Sequence, residues 1–401
     1  FTIPLLIGGA TTSRTHTAVK IEPHYTNGPT IWVTDASRAV GVCSNLLSDS
    51  LRDDYVAGIK ADYIKTRELH ANKKGQGPRY ALNEARTHGL KTDWKNYTPP
   101  KPNFIGVKNF NHYSLEEIAE HIDWTPFFQT WELAGRYPAI LKDEVVGEAA
   151  TNVFKDAQAM LGKIVKNQWL TASAVIGLFP ANSVNSDDIE IYADETRSKP
   201  LMTWHNLRQQ MVKPLDKPNL CLGDYIAPIT SGVKDYIGAF AVTTGTGIDA
   251  RVKAFEDAHD DYNSIMLKAL ADRLAEAFAE LMHKRVRREF WAYAADEKIS
   301  NEDLIAEKYR GIRPAPGYPA CPEHSEKAAL FELLNAPSNA GITLTENFAM
   351  LPTASVSGFY FSHPEAHYFA TGKIDADQVE DYARRKNIDL NLAKRYLAPL
   401  I

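Results

Sequence analysis

The sequence predicts an α+β protein built in two parts, and three observations lead to this prediction. Near the start of the chain, continuous apolar runs alternate with helical segments, which is typical of a parallel sheet covered on both faces. Later in the chain, apolar runs lie far apart with long helical segments grouped between them, which favours a central antiparallel sheet with long helices. Between the two parts, residues 71–102 are rich in Pro, Gly and Lys. We therefore predict a first domain over 1–70, a linker over 71–102 and a second domain over 103–401.

The first seventy residues contain two strand–helix units. The predicted elements are strand Ile3–Ile7, helix Ser13–Ile21, strand Thr30–Val33, helix Ala36–Leu47 and a charged helix over 52–70. Two units alone cannot complete a covered sheet. This part is therefore expected to be the closing part of a larger α/β domain, which the chain enters partway through the fold.

The second part is predicted to fold around strands that are distant in sequence. An antiparallel hairpin is expected from Ala174–Pro180 and Asp187–Tyr192, two apolar runs joined by a polar segment. A single helix is expected over Ala254–Trp291, about 57 Å long at ~1.5 Å per residue. The other predicted elements are helices over Ser114–His121 and Glu144–Lys166, strands over Tyr236–Val242, Thr343–Phe348 and Val356–Phe361, and two closing helices.

Composition excludes several classes of protein. Hydrophobic residues make up 44% of the 401 residues and charged residues 24%, which excludes wholesale disorder. The 45 Lys and Arg residues are outweighed by 50 Asp and Glu residues, and no basic block occurs, so no nucleic-acid partner is expected. No apolar run approaches the roughly 20 residues that span a bilayer, so no membrane partner is expected. The first residues lack the basic start of a signal peptide, and three widely spaced cysteines favour a reducing, cytoplasmic location.

The most unusual segment in composition runs from Arg313 to His324 and contains four prolines. Proline fixes φ and removes a backbone donor, so we expect a stiff, extended segment whose remaining N–H and C=O groups could contact the edge of a flat heterocycle. The planar fork of Arg313 suits a carboxylate. The alternative is a rigid connector between two helices. Cys321 and His324 have a C-x-x-H spacing, but no second ligand pair matches it, so no metal site is expected.

Two carboxylates are further candidates for ligand contacts. Glu276 follows Asp261, Ile265, Lys268 and Asp272 on one predicted helix face and is flanked by alanines, so it is the member of this stripe most apt to face something other than water. The alternative is a solvated face. Asp123 lies among four aromatic residues and could hold a ligand's amino group, although it could also cap a short helix.

Two shorter motifs carry weaker signals. His367-Tyr368-Phe369 follows a strand, and its rings could clamp a ligand by stacking and cation–π contact or could form an edge turn only. Gly245-Thr-Gly247 closes a strand and begins a helix, which resembles the start of a nucleotide-binding unit, but the third glycine of that motif is absent.

Together these segments resemble one family. The sequence is similar to the reactivation domain of cobalamin-dependent methionine synthases, and Gly8-Gly-Ala-Thr-Thr-Ser13 and Asp35-Ala-Ser-Arg-Ala-Val40 are similar to the closing half of the Rossmann-like cobalamin-binding domain of that family. The resemblance covers essentially the whole chain in order. Its segments in the second part begin at Ile122 (IDWTPFF), Gly177 (GLFPAN), Asp188 (DIEIY), Asp235 (DYIGAFA) and Arg313 (RPAPGYP).

The resemblance implies a repair function and a set of ligand contacts. In the family, the reactivation domain binds S-adenosylmethionine, a flavodoxin-type partner delivers an electron, and inert cob(II)alamin is converted to methylcobalamin. By this resemblance, Asp123 holds the ligand's amino group, Arg313 holds its carboxylate, and the backbone of Ala315, Gly317 and Tyr318 contacts the adenine. Further implied contacts are Tyr368, Phe369 and, as a polar contact, Glu276. Ala36, Gly8 and Gly9 are implied contacts of the cobalamin.

The resemblance also limits what this chain is expected to do. The parent enzymes transfer a methyl group from 5-methyltetrahydrofolate to homocysteine. The D-x-H-x-x-G segment, the cysteine-rich zinc site and the folate module of the family are absent from these 401 residues, so complete turnover by this chain alone is not expected. Its expected partners are flavodoxin and the other modules of the same enzyme, and the chain itself is expected to be a monomer. The alternatives are a non-catalytic module that docks flavodoxin and caps the corrin, and a nucleotide-binding enzyme built on Gly245 and Gly247.

Overall fold

The computed structural model of the chain describes residues 2–8, 12–33, 36–73 and 77–401, and the side chains of 36–38 and 69–73 are not described. The fold divides into two compact units, Phe1–Pro78 and Arg79–Ile401. Within the described ranges, no helix is both long enough and apolar enough to cross a membrane.

The first unit contains a pair of parallel strands with helices beside it. Strand β1 (Leu5–Gly8) pairs with β2 (Thr30–Val33) in parallel, with Leu5 opposite Thr30 and Gly8 opposite Val33. A small core forms between β2 and the helices around Ile31, Val33 and Leu46. The predicted alternation of strands and helices is confirmed. The elements are β1 (Leu5–Gly8), α1 (Arg14–His16, continued by a π-helical turn, Thr17–Ile21), β2 (Thr30–Val33), α2 (Ala36–Leu47) and α3 (Arg52–Lys73).

The second unit is organised by an antiparallel sheet. Its strands follow the order β10 (Ser355–Tyr360), β7 (Asp235–Thr246), β4 (Thr171–Val184), β5 (Asp188–Tyr192) and β6 (Pro200–Trp204), and β3 (Gly106–Tyr113) also pairs with β4. The predicted hairpin is present as β4 and β5, whose turn contains Asn185 and Ser186, both with positive φ. A separate pair, β8 and β9, is also antiparallel. The strands are β3 (Gly106–Tyr113), β4 (Thr171–Val184), β5 (Asp188–Tyr192), β6 (Pro200–Trp204), β7 (Asp235–Thr246), β8 (Thr343–Leu344), β9 (Met350–Leu351) and β10 (Ser355–Tyr360).

Helices cover both faces of this sheet. On β4, Ala174, Ile176 and Leu178 belong to the core shared with α9 (Asp261–Arg285), whereas Val175 belongs to the core shared with α11 (Glu326–Leu334) and α12 (Ala336–Ala340). Alternate residues of a strand point to opposite faces, so a strand that is buried on both faces has a continuous apolar sequence. The apolar run Ala174–Pro180 is such a sequence. The helices are α4 (Leu82–Thr87), α5 (Leu115–Ala119), α6 (Thr125–Thr130), α7 (Gly147–Asn167), α8 (Ile248–Asp257), α9 (Asp261–Arg285), α10 (Asn301–Ile305), α11 (Glu326–Leu334), α12 (Ala336–Ala340), α13 (Ala376–Lys386) and α14 (Leu390–Tyr396).

The single long helix predicted over Ala254–Trp291 is wrong, because the chain breaks between α8 and α9. His259 has φ +55, and the Asp260 side chain accepts a hydrogen bond from the Asn263 N–H at 3.1 Å. This cap begins a new helix, which ends in a π-helical turn over Val286–Phe290. The predicted strand Thr343–Phe348 is also shorter than expected. Only Thr343–Leu344 pairs with another strand, and the residues after it form a turn.

The linker expected over 71–102 is shorter in the structure, because residues from Arg79 onward belong to the second unit. Leu82 and Ala85 of α4 are buried. The Arg86 guanidinium donates to Asp187 at 2.7 Å and to Asp381 at 2.8 Å. Apolar burial and buried ion pairs therefore fix a segment whose composition suggested a flexible connection.

Candidate ligand-binding site

The proline-rich segment is partly extended and partly folded into two turns. Ile312 pairs with Phe361, and the Pro314 carbonyl accepts a hydrogen bond from the Phe359 N–H at 2.9 Å, so the first residues run along β10. Gly358 on β10 permits this approach, since a Cβ there would lie 2.6 Å from the Pro314 carbonyl oxygen. The expectation of an extended segment holds only for this first stretch.

From Ala315 onward the backbone turns twice. The Tyr318 N–H donates to the Ala315 carbonyl at 3.1 Å across Pro316 and Gly317, and Gly317 has φ +99. Proline at the second position and glycine with positive φ at the third define a type II turn. The Cys321 N–H then donates to the Tyr318 carbonyl at 2.9 Å, and the Gly317 N–H donates to the Cys321 carbonyl at 2.7 Å. Several backbone groups that were expected to point outward are thus used inside the turns, and this part of the prediction is wrong.

Arg313 and Asp123 line one cavity, although 190 residues separate them in sequence. This smaller cavity has a volume of about 180 Å³. A larger cavity of about 570 Å³ adjoins it and shares Arg313, Glu276 and Glu307 with it. The two cavities, named here the groove, form one site with a mainly polar end and a mainly apolar end. The larger cavity is further lined by Phe240, Pro314, Ala315, Tyr318, Pro319, Ala320, Val356, Tyr368, Phe369 and Ala370.

The polar end of the groove contains more acids than bases. Asp123, Glu276, Glu280 and Glu307 line the smaller cavity together with Arg273 and Arg313. Glu276 is half-buried, and its pKa is raised because burial disfavours the ionised form, an effect that Arg273 and Arg313 partly oppose. Such a site favours a ligand that carries positive charge as well as a carboxylate.

Asp123 has the two properties that the sequence left as alternatives. Its Oδ1 accepts a hydrogen bond at 2.9 Å from the Thr125 N–H, the first amide of α6. The same side chain lines the smaller cavity beside Arg313. The aromatic neighbours Trp124, Phe127 and Phe128 are buried and pack α6 in place. Asp123 is therefore held at the end of a short helix with its carboxylate at the cavity.

Tyr368 and Phe369 line the larger cavity of the groove. The Tyr368 hydroxyl accepts a hydrogen bond at 3.0 Å from the Arg313 backbone N–H, which attaches this loop to the proline-rich segment. Tyr318 is 61% exposed at the larger cavity, so its ring is accessible from solvent. The structure thus brings seven of the predicted residues together, namely Asp123, Glu276, Arg313, Ala315, Tyr318, Tyr368 and Phe369, and Gly317 lies in the adjoining turn.

The three residues predicted to contact cobalamin belong to the first unit. Gly8 ends β1 beside Val33 of β2, and a Cβ on Gly8 would lie 3.1 Å from the Val33 carbonyl oxygen. Gly9 and the side chain of Ala36 lie outside the described residues.

The other members of the predicted acidic stripe are solvated. Lys268, for example, pairs with Glu256 of α8 at 3.2 Å on the surface.

The glycines of the weak nucleotide-binding motif meet packing and backbone requirements. A Cβ on Gly245 would lie 2.6 Å from the Pro352 side chain, and Gly247 has φ +93 where β7 leads into α8. Cys321 is buried in the core shared by the sheet with α11 and α12 rather than at the surface.

Sequence reasoning also missed Glu280 and Glu307. Glu280 follows Glu276 by one helical turn of α9, and this spacing could have indicated that both face the same site. Glu307 follows α10 in a segment without any motif.

The fold is an α+β domain, and the groove has an aspartate and an arginine in one cavity, a pair of charges that suits an amino-acid-like small molecule. The chain belongs to the family described as the vitamin B12 dependent methionine synthase, activation domain, whose model matches residues 114–387. A crystal structure of the MetH reactivation domain bound to AdoHcy is similar to it, with a TM-score of 0.79 and 56% sequence identity. That match covers 81% of this chain and 99% of the other. The family and the fold class predicted from the sequence are confirmed: the chain contains the reactivation domain of a cobalamin-dependent methionine synthase, and the parent enzyme is a methyltransferase.

Proposed function

We propose that the groove binds S-adenosylmethionine as the methyl donor for reductive reactivation. The observation that carries this proposal is that Asp123 and Arg313 line the same cavity. An aspartate and an arginine at such a cavity suit the ammonium and the carboxylate of an amino-acid ligand. The similar crystal structure contains AdoHcy, the demethylated form of the same molecule.

The remaining groups of the ligand match the rest of the groove. The sulfonium lies between Glu276, Glu307 and the Tyr368 ring, where carboxylates and an aromatic face stabilise a cation. The adenine lies in the more apolar cavity against Ala315 and Tyr318. The Ala315 N–H has no hydrogen-bond partner among the described residues, so it is available to a ring nitrogen. The first turn, with Gly317 at its corner, determines where that edge lies.

The role of the protein in methyl transfer is to bind and orient the donor. Cobalamin, when bound, supplies the nucleophilic cobalt, and the sulfonium supplies its own leaving group. The groove therefore has to hold the ligand at both charged ends and leave the methyl group accessible. Gly8, together with Gly9 and Ala36, is the proposed contact of this chain with the corrin cofactor. Gly8 lies at the carboxyl end of β1, the edge where open α/β sheets bind ligands.

We also propose partners for this chain. A flavodoxin-type protein supplies the electron, the homocysteine and folate modules of the same enzyme are the other partners, and zinc belongs to the parent enzyme outside this chain. A monomeric, cytoplasmic protein fits these partners.

Isothermal titration with S-adenosylmethionine tests the proposal. We expect the wild-type chain to bind and Arg313→Ala to weaken binding by at least about tenfold, since a charge-assisted hydrogen bond is lost. Arg288→Ala is the matched control, because Arg288 is exposed and does not line the groove. Equal affinity of wild type and Arg313→Ala would contradict the assignment.

A second assay separates methyl transfer from docking. Cob(II)alamin, a reducing system and S-adenosylmethionine are added to the chain, and methylcobalamin is followed by absorbance. Its formation supports the reactivation role. Binding of flavodoxin without methylation would support the non-catalytic docking module instead.

A further inference from the structure

The contacts of the Arg313 side chain converge on one nitrogen. Nη1 donates to Glu280 Oε2 at 2.7 Å and to the Tyr309 hydroxyl at 2.6 Å, and His283 Nδ1 lies 3.4 Å away. Nε and Nη2 have no hydrogen-bond partner among the described residues. These two atoms form the edge of the guanidinium that binds a carboxylate through two parallel hydrogen bonds. The residues around Nη1 therefore leave that edge available.

The group that holds Nη1 is itself buried and supported. Glu280 is 8% exposed, and His283 is completely buried. Arg287, also completely buried, lies with its guanidinium carbon 3.9 Å from the centre of the Tyr309 ring and with Nη1 3.8 Å from Glu280 Oε1. Arg287 is fixed in turn by Glu297, to which its Nε donates at 3.0 Å. This arrangement restrains both acceptors of Nη1.

His283 contributes to the same restraint. Its ring stacks on Tyr360 with centroids 5.1 Å apart and meets the edge of Tyr309 at 5.0 Å. Burial and the neighbouring guanidinium groups of Arg287 and Arg313 lower the pKa of His283 well below its ordinary value. A neutral imidazole can lie beside Arg313 without repelling it.

We propose that Glu280 is a positioning residue: its carboxylate, with the Tyr309 hydroxyl, orients the Arg313 guanidinium so that Nε and Nη2 receive the carboxylate of the methyl donor. Without this acceptor, Arg313 can rotate about its terminal torsions and lose the orientation that two parallel hydrogen bonds require. Glu280 also offsets the charge of Arg313 while no ligand is bound. This inference rests on the proposed function, because it concerns the ligand's carboxylate.

Two neutral substitutions separate positioning from charge. Glu280→Gln and Glu280→Ala both remove the negative charge, but only glutamine keeps an oxygen that can accept from Nη1. Two ligands separate carboxylate binding from the rest of recognition, namely S-adenosylmethionine and its decarboxylated form, S-adenosyl-methylthiopropylamine. Dissociation constants for both ligands are measured by titration calorimetry with the full chain, for wild type and each variant.

The expected result is a difference that depends on the carboxylate. Glu280→Ala should bind S-adenosylmethionine about tenfold more weakly than Glu280→Gln, as one charge-assisted hydrogen bond no longer orients Arg313. The two variants should bind the decarboxylated ligand within about twofold of each other, because Arg313 has no carboxylate to orient against there. Both ligands report on the same folded variant, so a general loss of structure lowers the two affinities together.

Tyr309→Phe gives a second, milder test, since the ring over Arg287 remains. It should weaken S-adenosylmethionine binding by about threefold to tenfold and leave the decarboxylated ligand unaffected. The inference is overturned if Glu280→Gln and Glu280→Ala bind S-adenosylmethionine equally, or if the deficit of Glu280→Ala is the same for both ligands. Failure of the wild-type chain to bind S-adenosylmethionine would instead overturn the proposed function itself.

Discussion

Gly317 lies directly against the imidazole ring of His324. A Cβ built on Gly317 would stand 2.4 Å from Cε1 of that ring. The ring is held in turn by Lys327, whose Nζ donates to His324 Nδ1 at 2.9 Å and to the Phe348 carbonyl at 3.1 Å. The first turn of the proline-rich segment is therefore packed so closely that its corner has room only for hydrogen.

Replacement of this glycine should damage ligand binding more than folding. Gly317→Ala places a side chain at φ +99, which costs about 1–2 kcal/mol, and pushes the turn away from His324. We expect S-adenosylmethionine to bind at least ~10-fold more weakly, as measured by titration calorimetry. Gly341→Ala is the matched control, because Gly341 has φ +69 and a Cβ there would meet open space, with no neighbouring group within 4 Å among the described residues. A similar fall in affinity in both variants would contradict the role given to the turn.

Substitution of Asp123 should separate the charge from the helix cap. Asparagine keeps an oxygen for the Thr125 N–H but loses the negative charge beside the ligand's ammonium. Asp123→Asn should therefore retain the wild-type unfolding temperature and bind S-adenosylmethionine about tenfold more weakly. Asp123→Ala should show the same loss of affinity and, in addition, about 1 kcal/mol lower stability. If Asp123→Asn binds as wild type does, the aspartate serves only as a cap.

Ligand affinity should depend on pH through Glu276. Its raised pKa means that the empty groove favours the protonated form, whereas a ligand cation favours the ionised form. Affinity for S-adenosylmethionine should rise as the pH increases from the ordinary glutamate range, about 4.3, through the raised pKa, and then level off. Glu276→Gln should reduce this rise, which calorimetry over a pH series can measure; the part that remains is expected from Glu307, whose pKa is also raised by burial. The effect on the stability of the empty protein has the opposite sign, because the contribution of Glu276 is fully present below about 4.3 and is lost as the pH rises through its folded pKa.

Truncation should locate the start of the second unit. A chain beginning at Arg79 should keep the stability of this unit, whereas a chain beginning at residue 103 loses α4 and the Arg86 pairs with Asp187 and Asp381. Loss of a partner from a buried ion pair costs about 3–5 kcal/mol, so the shorter chain should unfold at clearly lower urea concentration. Comparable urea midpoints for the two chains would show that residues 79–102 are dispensable.

Sequence reasoning succeeded where a local pattern had one physical meaning. Continuous apolar runs indicated the buried strands. The Arg313 segment and Asp123 each left two interpretations open from sequence, and it is the fold that places both at one cavity. Sequence reasoning failed where tertiary contacts decide the outcome. The break before Asp261 depends on a cap within a sequence of otherwise good helical character, and the order of residues 79–102 depends on distant aspartates. Glu280 and Glu307 acquire their roles only when α9 and the chain near Arg313 are brought together.

The consecutive turns after Ala315 have a thermodynamic consequence. A mobile loop would lose conformational entropy when a ligand arrives, but here that loss takes place when the protein folds. The proposed contacts between the nucleoside and the backbone would therefore cost little conformational entropy. A variant with Pro316→Ala and Pro319→Ala is expected to make the same contacts with the ligand and still release it faster, because its segment is more mobile before binding.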